Sequence, residues 1–128
     1  FKQKTAYEIS TRDWSSDVCS SDLETRDEEL IRAVAIASGL GSSSAYTWLK
    51  IPATPRIAEV AAATTMPILL LGGDPGEGWR EVVSGWELAM REPNVRGLIP
   101  GRTLLYPPDG DVEGIVTTAA RIVHGGAA

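Results

Sequence analysis

The chain has 128 residues, a formal net charge of −5 and a 43% share of hydrophobic residues, and residues 24–128 have an ordinary length for one domain. Its basic residues form no cluster that could follow a phosphate backbone, so the composition argues against nucleic-acid binding. Apolar runs such as Ile68–Leu71 are far shorter than the roughly 20 residues that cross a bilayer. We therefore expect no membrane association.

Residues 1–23 resemble a short-read sequencing adapter that was translated as if it were coding DNA. Residues 14–23 back-translate to the end of such an adapter, and residues 2–8 back-translate to its beginning. The number of bases between these two parts equals the length of a sample index. We interpret residues 1–23 as a disordered or non-native artefact and exclude them from fold reasoning. Cys19 lies in this segment, and the absence of cysteine from residues 24–128 favours a cytoplasmic protein without disulfides.

The first predicted element is a helix that begins with a capping box and ends at Ser38-Gly39. Thr25 would be the N-cap, and Glu28 follows three residues later. The inward-facing residues at helical spacing are Leu30, Ile31, Val34 and Ala35.

Three strand–helix units follow, a pattern typical of parallel βαβ topology. The strands are predicted at residues 45–51, at Ile68–Leu71 and at Val95–Ile99. The helix after the first strand would begin near Thr54-Pro55, with Thr as N-cap and Pro at the first helical position. The helix after the second strand has the apolar stripe Trp79, Val82, Val83, Trp86 and Met90.

After the third strand, residues 103–106 have the length of a short extra helix, and the last helix begins at Asp111. Helices on one face of such a sheet would form a closed barrel, whereas helices on both faces would form a doubly wound sheet. The turns Gly72-Gly73 and Gly101-Arg102 favour the barrel, because barrel loops after strands seven and eight frequently bind phosphate. We predict an α/β fold that is the C-terminal part, about strands six to eight, of a (β/α)8 TIM barrel.

Lys50 is the only lysine in residues 24–128 and lies at the carboxyl end of the first predicted strand. Period-two alternation would place Tyr46, Trp48 and Lys50 on one face. Contact with two aromatic rings would remove water from the ammonium group and favour the neutral amine that a Schiff-base nucleophile requires. The alternative is that Lys50 reaches solvent and the two aromatic residues belong to an ordinary core.

The two glycine turns could bind a phosphate through backbone N–H groups, or they could be turns and nothing more. Arg102 could pair with a phosphate or with a neighbouring carboxylate. Among the acidic loop residues, Asp74 is interpreted as a turn former, Asp111 as an N-cap, and Asp109 lies at the same end of the strands. His124 is interpreted as a partner of the last helix dipole, and no metal or cofactor is predicted.

Three segments together resemble the last three strands of the class I aldolase superfamily, which holds deoxyribose-phosphate aldolase and the archaeal-type fructose-bisphosphate aldolase. The segments are AYTWLKIPA, MPILLLGGDPG and VRGLIPGRTLLYPPDG. Residues 24–128 as a whole resemble an actinobacterial branch of (β/α)8 proteins associated with inositol catabolism. The archaeal-type pattern usually has a tyrosine shortly after the lysine and an asparagine after Gly-Arg, where this chain has Ile51-Pro52-Ala53 and Thr103.

The resemblance implies that Lys50 is the Schiff-base lysine and that Gly72, Gly73, Gly101 and Arg102 form the phosphate loops. It implies a carbon–carbon lyase that acts on a phosphorylated sugar, with acid and base residues on strands that precede this segment. We expect the 128-residue chain by itself to be inactive, and we expect the intact protein to be cytoplasmic and a candidate homo-oligomer. The alternatives are a phosphosugar isomerase or epimerase barrel, and a non-catalytic sugar-phosphate-binding partner of a carbohydrate kinase.

Overall fold

A computed structural model describes residues 20–73 and 78–125 of the chain. The strands form one parallel sheet in the order β1-β2-β3, and this confirms the predicted α/β class with parallel strands and flanking helices. The elements, in chain order, are α1 (Ser20–Ser38), β1 (Leu49–Pro52), α2 (Ile57–Ala62), β2 (Ile68–Leu71), α3 (Trp79–Ala89), β3 (Val95–Ile99), α4 (Gly101–Leu105) and α5 (Val112–His124).

The second and third strands and the last helix lie where the sequence predicts them. β2 and β3 have the predicted bounds. Asp111 is the N-cap of α5, and its Oδ1 accepts a hydrogen bond of 2.9 Å from the backbone N–H of Gly114. The helix ends at Gly125, whose φ of 70° lies in the left-handed region that favours glycine at this position.

The predicted start of the first helix is wrong. α1 begins at Ser20, so Thr25 lies inside the helix and is not its N-cap. The helix extends to the N-terminal side of Thr25 because Leu23 and Glu24 are good helix formers and no Gly or Pro precedes Thr25 in this segment. α1 thus includes residues 20–23 of the segment interpreted as an artefact, and residues 1–19 lie outside the described residues.

The predicted bounds of the first strand and of the helix after it are also wrong. β1 is limited to Leu49–Pro52 because its partner β2 offers only four residues for pairing, and residues 45–48 form a turn and an irregular segment instead. Pro52 is the last residue of β1 and not the residue that follows the strand. Proline is tolerated at this position because β1 lies at the edge of the sheet. The next helix begins at Ile57, and the Thr54 hydroxyl makes no cap hydrogen bond.

The short helix after β3 begins two residues earlier than predicted. It spans Gly101–Leu105 and not residues 103–106. The backbone N–H of Tyr106, the residue after the helix, donates to the carbonyl of Arg102 at 2.9 Å. The glycine of the Gly101-Arg102 turn is therefore the first residue of α4.

One face of the sheet is covered by helices. Ile68 and Leu70 of β2 have no exposed surface, and Ile51 of β1 pairs with Leu70 on the same side. These strand residues belong to one buried cluster with residues from α1, α2, α3 and α5. The other members of the cluster are Val34, Ile57, Val60, Ala61, Trp86, Ala89, Val95 and Ala119.

The opposite face of the sheet lies outside this cluster. Successive side chains of a strand point to opposite faces, and Lys50 pairs with Leu69, which in turn pairs with Gly97. Leu71 and Ile99 form the next pair on this face. None of these residues belongs to the buried cluster or packs against it, and Ile99 is 44% exposed. We call this the uncovered face.

Hydrogen bonds from one helix side chain and one turn side chain fix the strand ends. At the carboxyl end of β2, the indole N–H of the fully buried Trp86 donates to the carbonyl of Leu71 at 3.3 Å. At the amino end of β3, the Asn94 side-chain amide donates to the carbonyls of Ala61 and Thr64, each at 3.0 Å. A search of the described helices found none that is long and apolar enough to cross a membrane.

Candidate functional site

A cleft of about 550 Å³ opens at the carboxyl ends of the three strands. All five residues that the sequence singles out as catalytic or phosphate-binding line this cleft, because the carboxyl ends of parallel strands meet at one edge of a sheet. We call it the strand-end cleft. Its lining residues are Lys50, Leu71, Gly72, Gly73, Ile99, Pro100, Gly101 and Arg102.

Lys50 contributes the amine of the strand-end cleft. It is the second residue of β1, it is exposed, and it lies on the uncovered face of the sheet. The expected alternation of Tyr46, Trp48 and Lys50 along one strand is wrong, since both aromatic residues precede β1. Tyr46 is 97% exposed, so its ring does not shield the Lys50 ammonium group from water. The strand alternation that would have aligned them begins only at Leu49.

Gly72 lies where two loops meet. A Cβ atom at this position would lie 2.7 Å from both Cα and O of Pro100 and 2.5 Å from Oγ1 of Thr103. Such distances are far below van der Waals contact, so the loop after β2 can approach the loop after β3 only because residue 72 has no side chain.

Gly73 and Gly101 have a different environment. A Cβ atom at either position would meet no heavy atom of the described residues within 4 Å, so within this part of the chain both residues border open space. Gly73 has a φ of 72°, a conformation that favours glycine. Because both residues lack a side chain, a ligand in the strand-end cleft could approach the backbone of these turns closely.

The charges that line the strand-end cleft favour an anion. Among the described residues that line it, the charged side chains are Lys50 and Arg102, both cationic. The remaining lining side chains are apolar: Leu71, Ile99 and Pro100. A cationic cleft with apolar walls and glycine turns is suited to a small molecule that carries a phosphate group.

The acidic residues predicted near this end of the strands have structural contacts. Asp109 Oδ1 accepts a hydrogen bond of 3.1 Å from the Asp111 backbone N–H. Asp111 itself caps α5, as predicted. Neither residue lines the strand-end cleft, and Asp74 lies outside the described residues.

His124 is the last residue of α5 and does not line the strand-end cleft. Its place in the final turn is the one expected of a partner for the helix dipole. A search for groups of three or more His, Cys, Asp or Glu side chains that could hold a metal ion found none in the described residues.

Sequence reasoning missed one residue of this region, Thr103. Its side chain is 1% exposed, and its hydroxyl donates to the carbonyl of Gly72 at 2.8 Å. The available signal is its position directly after Gly101-Arg102, where the archaeal-type aldolase pattern usually has an asparagine. A link between residues 31 positions apart in the chain has no local pattern that would reveal it.

Comparisons with known proteins give one family and one solved structure. The model of the Cgl0159-like family matches residues 9–120. The crystal structure of Cgl0159 from Corynebacterium glutamicum is similar to this chain, with 52% sequence identity and a TM-score of 0.70. The similarity covers 77% of this chain and 32% of that one, so the chain corresponds to about a third of the length of its relative. No curated protein matches the chain.

Proposed function

This chain belongs to the Cgl0159-like family, and we propose that it is the C-terminal part of a class I aldolase-like lyase that acts on a phosphorylated sugar. In this proposal the intact enzyme, here called the full-length protein, forms and breaks a carbon–carbon bond through a Schiff base on Lys50. The observation that carries the proposal is that one cleft contains Lys50 together with both glycine turns.

The proposed architecture is a (β/α)8 barrel in which β1, β2 and β3 are strands six to eight. Helices on one face of a parallel sheet are the arrangement of a barrel wall, with the bare face toward the barrel axis. The uncovered face, which carries Lys50, Leu69, Leu71 and Ile99, would then be the barrel interior. The length of the Corynebacterium glutamicum relative is compatible with further strands, since this chain covers 32% of it.

The position of the strand-end cleft supports an active site. Active sites of such barrels lie at the carboxyl ends of the strands, and phosphate groups are frequently bound by the loops after the last two strands. Here the strand-end cleft lies at those ends, and its glycine turns follow β2 and β3. Gly72, Gly73, Gly101 and Arg102 would bind the phosphate and hold the reacting carbonyl near the Lys50 amine.

The proposed reaction uses the lysine as nucleophile. The neutral amine of Lys50 adds to the substrate carbonyl, and loss of water forms an iminium ion. The iminium accepts the electron pair of the carbon–carbon bond as that bond breaks, which releases an aldehyde and leaves an enamine. Protonation of the enamine and hydrolysis of the resulting iminium release the second product and restore the amine. The acid and base groups for these proton transfers would come from the strands that precede this segment.

Reductive trapping of the full-length protein tests the proposal. Borohydride, added in the presence of ketose or aldose phosphates, would reduce the iminium to a stable secondary amine, and peptide mass spectrometry would locate it. Lys50 is the only lysine in residues 24–128, so an adduct in this range identifies the residue. Lys50→Arg keeps the positive charge and should give no adduct. Absence of an adduct on Lys50 of the unaltered protein, under turnover conditions, contradicts the proposal.

The same experiment separates the alternatives. Binding of sugar phosphates without a trapped adduct would favour an isomerase or epimerase barrel. A non-catalytic partner of a kinase would bind sugar phosphates with Lys50→Ala as well as without it. A cytoplasmic location belongs to the same proposal, and the absence of cysteine from residues 24–128 is its support.

A further inference from the structure

We propose that Thr103 is a positioning residue of the phosphate site, and that its hydroxyl sets the geometry between the two glycine turns. The proposal rests on the proposed phosphate-binding function of the strand-end cleft. Thr103 does not line the cleft itself. Its role would be to fix the backbone of Gly72, which does line the cleft.

The contact that carries this inference is buried and spans two loops. Thr103 belongs to α4, directly after the turn Gly101-Arg102, and its Oγ1 donates to the carbonyl of Gly72 at 2.8 Å. The side chain is 1% exposed and Gly72 is buried. A threonine inside a helix usually bonds to a carbonyl of its own preceding turn, whereas this hydroxyl joins α4 to the loop after β2.

The hydrogen bond also orients a donor in the cleft lining. The carbonyl of Gly72 and the N–H of Gly73 belong to one planar trans peptide group and point in opposite directions. Because the carbonyl is held by Thr103, the Gly73 N–H is fixed on the side of the peptide away from Thr103. Gly73 lines the strand-end cleft and borders open space, so this N–H can act as a pre-oriented donor to a phosphate oxygen.

The close approach of the two loops depends on the same pair of residues. The missing side chain of Gly72 leaves room for the Pro100 backbone and for the Thr103 hydroxyl. Since Pro100 and Gly101 both line the cleft, a change in the Gly72–Thr103 contact would alter the spacing of the backbone groups that face the anion. We therefore expect loss of the hydroxyl to weaken phosphate binding more than it affects folding.

The test compares Thr103→Val and Thr103→Ser in the full-length protein. Valine keeps the shape and removes the hydroxyl, whereas serine keeps the hydroxyl and removes a methyl group. The affinity for inorganic phosphate is measured by isothermal titration calorimetry, and thermal unfolding is measured alongside. Thr117→Val, a substitution at an exposed position of α5, serves as the matched control.

We expect Thr103→Val to bind phosphate about tenfold more weakly, and Thr103→Ser and Thr117→Val to bind within about twofold of the unaltered protein. Equal phosphate affinity of Thr103→Val and the unaltered protein, with only a lower unfolding temperature, would show a purely structural role and overturn the inference. If Thr103→Val does not fold, a tenfold loss of affinity in a folded Thr103→Ser overturns it. No phosphate binding by the unaltered protein overturns it as well. Phosphate binding that depends on the hydroxyl, without any lysine adduct, would refute the aldolase chemistry and leave this inference standing.

Discussion

Replacement of Gly72 by alanine should strongly destabilise the full-length protein and thereby test the packing of the two cleft loops. The added methyl carbon would lie 2.5 Å from Thr103 Oγ1 and 2.7 Å from Cα and O of Pro100. Ordinary contact begins near 3.4 Å, so the loops would have to separate by about 0.7–0.9 Å. Two of the three nearest atoms belong to the backbone, and the ring of Pro100 restricts its φ, so a side-chain rotation cannot relieve the overlap.

The expected cost has two contributions and one small offset. Overpacking of a rigid site typically costs about 1–3 kcal/mol. Separation of the loops would also break the hydrogen bond from Thr103 to the Gly72 carbonyl, a further loss of about 0.5–1.5 kcal/mol. Replacement of glycine by alanine also lowers the conformational entropy of the unfolded chain, and this offsets about 0.4–1 kcal/mol of the lost stability. We therefore expect the free energy of unfolding to fall by about 2–3 kcal/mol.

Urea unfolding of the full-length protein, followed by circular dichroism, measures the effect. Gly101→Ala is the matched control, because a methyl group at that position would meet no heavy atom of residues 20–73 and 78–125 within 4 Å. It should change the free energy of unfolding by no more than about 0.5 kcal/mol. If Gly72→Ala and Gly101→Ala unfold at the same urea concentration, the close approach of the two loops is refuted.

Two further predictions concern helix ends away from the strand-end cleft. Asp111→Ala removes the side-chain acceptor for the Gly114 N–H and should lower the free energy of unfolding by about 1 kcal/mol, measured by the same urea titration; no loss would mean that the cap contributes nothing. Arg56 donates two hydrogen bonds to the carboxylate of Glu59, which lowers the pKa of Glu59 from its ordinary value of 4.5. A lowered pKa in the folded state means that the pair stabilises the protein above pH 4.5 and that this contribution is lost as the pH falls through the lowered pKa. Thermal unfolding of Glu59→Gln should therefore occur below that of the unaltered protein at pH 7, and the difference should decrease as the pH falls through the lowered pKa of Glu59. Glu59 is exposed and Arg56 is half-buried, so the effect should be small and should decrease with added salt.

The parts of the fold that were predicted correctly have strong local signals. β2 is a short apolar run between Pro67 and Gly72, whereas β3 lies between the turn Pro93-Asn94 and Pro100. The predicted limits of both strands agree with the structure. The start of α5 follows from Asp111, because its carboxylate can cap a helix without help from the rest of the molecule. The two glycine turns likewise mark the ends of their strands in any context.

The errors arise where distant residues decide the outcome. Residues 45–48 alternate as a strand should, but β2 has only four residues to pair with, so β1 begins at Leu49. Thr54 has the residue type of an N-cap, yet the helix begins at Ile57. Thr25 has a complete capping box, but the helix continues back to Ser20. A local sequence pattern shows which secondary structures a segment can form. Contacts with residues that are distant in the chain determine which of them it does form.

For the candidate site, the sequence by itself determined which residues could bind and react: one lysine in residues 24–128, and glycine turns that follow the last two strands. Only the tertiary structure decided that these residues line one cleft, that Tyr46 and Trp48 lie before the strand that carries the lysine, and that Thr103 contacts Gly72. The physical reason is that residue type sets the chemistry of a side chain, whereas parallel pairing and the absence of a Cβ at Gly72 set which side chains and backbone groups meet.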